Sequence, residues 1–236
     1  MTTQSLPQVI ILLAGMGSRL GRPYPKSLTS LENGETILSR QIRILQSFGL
    51  AITAVIGFKK DLIMEAAPDI RFCYNPNFDT TNTSKSLLSG IRHMAGHDVL
   101  WLNGDVVFDA EIIELMLNSD SSAVAVNNAR VAEEEVKYTL NHAGYINNIS
   151  KTVENPLGEA LGINLVKKEY LDDFMKYLED VDENDYFERA MELLIQEKSY
   201  RFKAIDVGNH NCVEVDFADD LKVAKAMVQS DQQDKR

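Results

Sequence analysis

The stretch QVIILLAGMGSRLGRPYPKS, Gln8 to Ser27, divides at Ala14. Before Ala14 stands an apolar run, rich in branched side chains and of the length of a strand buried on both faces. After it come three glycines, two arginines and a lysine, with no acidic residue among them. A glycine-rich turn after a buried strand gathers backbone amides into a concave anion site, and lysine or arginine adds charge to it. The surrounding chain of 236 residues is acidic, with a formal net charge of -11 and an isoelectric point near 4.9. That balance argues against a nucleic-acid scaffold or a membrane-surface binder. The basic loop is therefore a local feature, of the kind that holds a small anion.

Outward from the loop, short apolar runs alternate with segments of helical period. QVIILL is the first strand, ITAVIG (52–57) the second, IRFCYN (70–75) the third, DVLWLN (98–103) the fourth and SAVAVN (122–127) the fifth. Residues 36–48 are predicted to form a helix with Ile37, Leu38, Ile42, Leu45 and Phe48 on one face. Such alternation predicts an α/β fold with a mainly parallel central sheet flanked by helices. After about residue 130 the pattern changes: 135–151 reads as a hairpin turning at Asn141–Gly144, and ALGINLV (160–166) as a further strand. Helices are expected at 168–179, 185–197 and 217–229, the last preceded by VEVD (213–216). The expectation is one domain over 1–236: a nucleotide-binding core at 8–130, a small β-rich extension with closing helices at 131–229, and a frayed tail at 230–236.

Cys73 and Cys212 are too few for a disulfide framework and lack metal-ligand spacing. The longest early apolar run, Val9–Ala14, is too short for a signal segment and runs straight into glycines, which predicts a soluble cytoplasmic protein. Two common phosphate loops fail. The dinucleotide fingerprint requires glycine where Leu20 stands, and the Walker A loop requires it where Pro25 precedes Lys26–Ser27. A loop that wraps a nucleoside triphosphate and presents its α-phosphate to a nucleophile fits better.

The segment LAGMGSRLG…PKSL resembles the opening signature of the sugar-nucleotidyltransferase superfamily, with Leu13 replacing one residue of the usual AAG. TTNTSKSL (80–87), NGDVVFD (103–109), EVKY (135–138), ISK (149–151), GEALGI (158–163) and VEVDFADDL (213–221) resemble, in order, a narrower group, the phosphocholine cytidylyltransferase-like enzymes. The resemblance implies a Rossmann-like nucleotidyltransferase fold and transfer of a cytidylyl group from CTP to a small phosphorylated or phosphonate acceptor. It implies that the loop Leu13, Ala14, Gly15, Met16, Gly17, Ser18 and Arg19 lies on the triphosphate, with Arg19 on the departing pyrophosphate and Lys26 at the α-phosphate. Asn82 and Ser86 would read the base. Asp105, after Gly104, and Asp216 would hold Mg2+. Lys151 would meet the acceptor's phosphate, with Glu159, Tyr138, Asp185 and Tyr186, and Glu188 nearby, on the acceptor side. Two departures stand out: Cys212 where tryptophan is frequent, and Lys85 where an aromatic is common.

The chemistry needs these residue types. A phosphomonoester is already largely dianionic near neutrality, its second pKa being about 6, so no histidine base is required. The obstacle is repulsion between anions, which a carboxylate-held cation with Arg and Lys relieves. Each residue also has a plainer reading. Gly15 and Gly17 suit a tight turn, Arg19 and Lys26 a solvated pair, and Asp105 and Asp216 helix caps. Asn82 could cap the helix carrying Ser86, and His93 and His97 fit a helix end rather than a ligand pair. The alternatives are a sugar-1-phosphate or inositol-phosphate nucleotidyltransferase using CTP, UTP or dTTP, and an inactive nucleotide-binding regulatory domain.

Overall fold

The computed structural model describes residues 5–17, 24–32, 34–128, 131 and 135–233. Its strands are β1 (Gln8–Leu13), β2 (Ala51–Ile56), β3 (Arg71–Tyr74), β4 (Val99–Asn103), β5 (Val106–Phe108), β6 (Ser122–Asn127), β7 (Lys137–Leu140), β8 (Ile146–Ser150), β9 (Gly158–Val166), β10 (Phe202–Asp206) and β11 (Cys212–Glu214). The helices are α1 (Ile37–Ser47), α2 (Lys60–Ala66), α3 (Thr83–Ile91), α4 (Ala110–Leu117), α5 (Lys168–Asp180), α6 (Phe187–Lys198) and α7 (Ala218–Gln233). The main sheet runs β3-β2-β1-β4-β9-β6-β10, with β7 and β8 extending from the start of β9. The β3-β2-β1-β4 half is parallel, as is β6-β10, whereas β9 lies antiparallel between β4 and β6.

Strand β1 shows why the sheet is covered on both faces. Val9, Ile11 and Leu13 join one core with α1, α2 and α4, while Ile10, Leu12 and Ala14 join another with α3, α5 and α6. Successive side chains leave a strand on opposite faces, so an unbroken apolar run requires two covering layers. Trp101 on β4 is fully buried in the second core, its ring 5.4 Å from Phe174 and 5.5 Å from Phe187. Helix α7 closes a smaller cluster with Val107, Val215 and Leu31. No helix among the described residues is long and apolar enough to cross a membrane.

Four elements differ from expectation. Strand β5 is only three residues long and pairs with β11 alone, giving no periodicity to read. Strand β10 is an edge strand with Phe202 buried and Lys203 and Asp206 exposed, and FKAID offers no apolar run to read. On α1 the buried face includes Arg40 and Gln41, while Ile42 and Phe48 are only partly covered. Helix α7 continues to Gln233, beyond the expected limit at 229.

Candidate active site

The chain passes from β1 to β2 and β3 on one side of the sheet and then returns to lay β4 on the other side of β1. This reversal opens a crevice past the carboxyl ends of β1 and β4, the place where open α/β sheets bind ligands. A cleft of about 310 Å³ lies there. One wall holds Ala14, Gly15, Gly17 and Lys26; Asn82, Thr83 and Ser86 come from the start of α3, and Asn103, Gly104 and Asp105 from the end of β4.

Close packing sets the floor. A Cβ on Gly104 would lie 2.2 Å from Leu13 Cδ2 and 2.7 Å from the Leu12 carbonyl, so the turn tolerates only glycine. Gly17 has φ +58°, and a Cβ there would lie 2.8 Å from Cγ of Lys26; its absence lets the lysine stem cross under the loop. The amide of buried Gln41 donates to the Asn103 and Val106 carbonyls at 3.0 and 2.8 Å, bracing the turn that carries Asp105. Burial of a polar residue on α1 thus has a positional use that helical periodicity does not reveal.

Asp105 and Asp216, far apart in sequence, meet at Lys26. Its ammonium donates to Asp105 Oδ2 at 3.2 Å and to Asp216 Oδ1. Glu214 is the third member of the group: ligand oxygens of Asp105, Glu214 and Asp216 all lie within 4.8 Å of one another. The β5–β11 pairing brings them together, helped by the Val215 amide donating to the Asp105 carbonyl at 3.0 Å. Sequence reasoning missed Glu214, although the alternation in VEVD contains it. Residues two apart in an extended segment point to the same side, and Asp216 follows Glu214 just past the end of β11. Burial pushes the Asp105 carboxyl up, with Lys26 pulling the other way. Burial, then Asp105 and Asp216, push Glu214 well above the usual range. Burial works against the Lys26 charge, but the two aspartates outweigh it and hold its pKa above 10.5.

The opposite wall carries Glu135, Lys151, Tyr186, Phe187 and Glu188. The Lys151 ammonium sits 4.5 Å from the centre of the Tyr186 ring. This wall is tied to the start of α3. The amides of Asn82 and Ser84 donate to the Glu183 and Asp185 carbonyls, and the Phe187 amide donates to Thr83 Oγ1 at 3.2 Å. Asn82 does cap α3, accepting from the Thr83 amide at 2.8 Å, and also lines the cleft. Ser86 lines it too, accepting from Asn75 Nδ2 at 3.1 Å.

Some expected residues lie elsewhere. Tyr138 is in the second core, its hydroxyl donating to Asn128 Oδ1 at 2.7 Å, because the hairpin turns that face of β7 inward. Asp185 is not on the cleft lining; its carboxylate accepts from the Asp182 amide at 3.0 Å and fixes its own turn. Glu159 is likewise off the lining and accepts from Asn127 Nδ2 at 2.6 Å. Leu13 packs beside Gly104, and Met16 points to solvent. Ser18 and Arg19 lie outside the described residues. Of the departures, Lys85 turns from the cleft and donates to the carbonyls of Leu178, Glu179 and Val181 at the end of α5. Cys212 packs against the first core, with its thiol pKa raised by burial.

A mostly parallel sheet with a glycine loop, a lysine and a carboxylate triad at its switch point defines a nucleotidyltransferase type of α/β protein. The chain belongs to the MobA-like NTP transferase domain family, whose profile matches residues 9–193. It is 33% identical over 138 residues to the CMP-5'-(3-aminopropyl)phosphonate synthase of Streptomyces rubellomurinus, covering 53% of this chain and 22% of that one. It is 30% identical over 165 residues to the bifunctional protein GlmU of Methanococcus maripaludis, covering 66% of this chain and 38% of that one. The chain thus spans well under half the length of these relatives. In fold it is similar to the inositol-1-phosphate CTP transferase of T. maritima, with TM-score 0.80, 18% identity and coverage of 95% and 96%. It is also similar to the CTP:phosphocholine cytidylyltransferase of Streptococcus pneumoniae, with TM-score 0.74, 16% identity and coverage of 95% and 100%.

Proposed function

We propose that the protein transfers a cytidylyl group from CTP to a small acceptor with a phosphate or phosphonate at one end and an amine at the other. The observation that carries this reading is the meeting of Lys26 with Asp105, Glu214 and Asp216 beneath the glycine loop, facing a second wall with its own lysine, Lys151. An acceptor oxygen attacks the α-phosphorus, the bond to the bridging oxygen breaks, and pyrophosphate leaves with the electron pair. Lys26 offsets charge on the α-phosphate, Arg19 grips the leaving phosphates, and Lys151 orients the acceptor's anion. Positioning and charge compensation account for the rate, with no covalent enzyme intermediate. Three carboxylates this close suit a hard cation such as Mg2+, which would be held by Asp105, Glu214 and Asp216. Bound there, the ion supplies positive charge against the triphosphate and the attacking anion. Asn82 and Ser86 offer short polar groups to a pyrimidine edge, and a site built to pair with one base rejects another that leaves its groups unpaired.

The name of one structural relative, an inositol-1-phosphate CTP transferase, favours a second reading, an inositol- or sugar-phosphate acceptor. Pyrophosphate release decides between them, measured with CTP, UTP, ATP and GTP against aminoalkylphosphonates, phosphocholine, inositol phosphate and hexose 1-phosphates. The expected result is release only with an acceptor present, preference for CTP over purine triphosphates, and loss of turnover in excess chelator. Equal use of ATP or GTP refutes the base assignment. A hexose 1-phosphate or inositol phosphate better by about tenfold, a difference of roughly 1.4 kcal/mol in transition-state binding, hands the acceptor to the second reading.

A further inference from the structure

Glu188 stands in the first turn of α6, lines the cleft, and is only 7% exposed. Its Oε2 has no hydrogen-bond partner, although the oxygen is fully shielded. A buried carboxylate oxygen left unpaired is costly, and such a group in a cleft is understood once a ligand donor fills it. Burial pushes the carboxyl up to about 7, its own backbone amide and Lys151 offsetting this only in part. The surroundings of Glu188 narrow what that donor is. A quaternary ammonium has no N–H to give, and its usual receptor is a cage of open aromatic faces. Here the Tyr186 ring already carries the Lys151 ammonium, Phe187 is packed edge-on to Trp101 in the core, and Tyr138 is buried. The wall therefore offers, in Glu188 Oε2, a shielded carboxylate oxygen with no partner, and Phe78 is the one further aromatic on the described cleft lining, too few for a cage.

We propose that Glu188 selects the acceptor's amine, and that this amine is a primary ammonium donating a hydrogen bond to Oε2. The inference rests on the transfer reading above and goes further by naming the amine class and the residue that reads it. The ammonium ion-pairs with the ionised carboxylate and leaves Lys151 to the acceptor's anionic end. A phosphonate or phosphate bearing –NH3+ on a short alkyl chain satisfies both groups at once, whereas an alkyl analogue that lacks the amine leaves the carboxylate oxygen bare.

The test compares 2-aminoethylphosphonate, phosphocholine and ethylphosphonate, which lacks the amine, as acceptors for the full chain and for Glu188→Gln, with CTP and Mg2+. The expected result is highest kcat/KM for the primary amine in the parent protein. In Glu188→Gln its kcat/KM falls by about 30-fold or more beyond any fall seen with ethylphosphonate. Glu188→Asp, which shortens but keeps the carboxylate, should recover part of the preference. An equal or greater kcat/KM for phosphocholine overturns the amine class. A loss in Glu188→Gln that is the same for all three acceptors overturns the selective role and leaves the transfer reading standing. No pyrophosphate from any acceptor, in parent and variants that melt normally, sinks both.

Discussion

Lys26 joins the two carboxylate-bearing segments of the site, bonding Asp105 from the β4–β5 turn and Asp216 from the approach to α7. A divalent ion at the same carboxylates competes with that ammonium, because both are attracted by the same few oxygens. Lys26→Met should therefore tighten Mn2+ or Mg2+ binding to the nucleotide-free protein by about tenfold, worth roughly 1.4 kcal/mol. Asp105→Asn should abolish that binding. Isothermal calorimetry reads both, and unchanged affinity in Lys26→Met would show that the ion does not use these oxygens. The same lysine was legible in the sequence from Pro-Lys-Ser after a glycine loop. Its contact with carboxylates rather than solvent was not, since the partners lie 79 and 190 residues away.

Helix α5 illustrates the element scale. Its last carbonyls would face a helix–helix seam unsatisfied, and Lys85, reaching across from α3, accepts that role with three contacts of 2.6 to 2.9 Å. A cation at a helix C-terminus contributes up to about 2 kcal/mol when partly buried. Lys85→Met should lower the urea midpoint by an amount equivalent to about 1–2 kcal/mol, while the KM for CTP changes by less than about twofold. A large rise in KM without loss of stability would return Lys85 to the base pocket. Sequence patterning placed helices at 168–179 and 185–197, close to the observed α5 and α6. It could not say that the α6 entry loop docks on the amides of α3, which joins the base side of the cleft to the acceptor side.

For the whole molecule, the described cleft gathers Asp105, Glu135, Glu188, Glu214 and Asp216 against Lys26 and Lys151. A carboxyl raised from 4.5 to about 7 keeps a proton in the folded state that the unfolded chain releases. Stability from Glu188 is thus complete below about pH 4.5, declines as pH rises through the interval, and is fully lost above about 7. The total is of the order of 3 kcal/mol. Burial raises Asp105 and Glu214 in the same direction. Without ligand or metal, Glu188→Gln should melt several degrees above the parent at pH 8, with the gap closing towards pH 5. Equal melting temperatures at pH 8 would show that the carboxyl is not held neutral by burial.

The sequence by itself determined the α/β class, the strand that precedes the glycine loop, and the family. These depend on short-range pattern: unbroken apolar runs need two covering layers, and glycines next to a strand end need a turn. It also named Lys26, Asp105 and Asp216, which lie in contiguous motifs. Only the tertiary structure decided that β9 runs antiparallel through the sheet and that Glu214 completes the triad. It alone placed Tyr138, Glu159 and Asp185 off the cleft and left Glu188 buried with an unfilled oxygen. Register and burial decide these points. A residue's neighbour across a strand pair, or the face a hairpin turns inward, depends on segments distant in the chain, whose meeting no local spacing encodes.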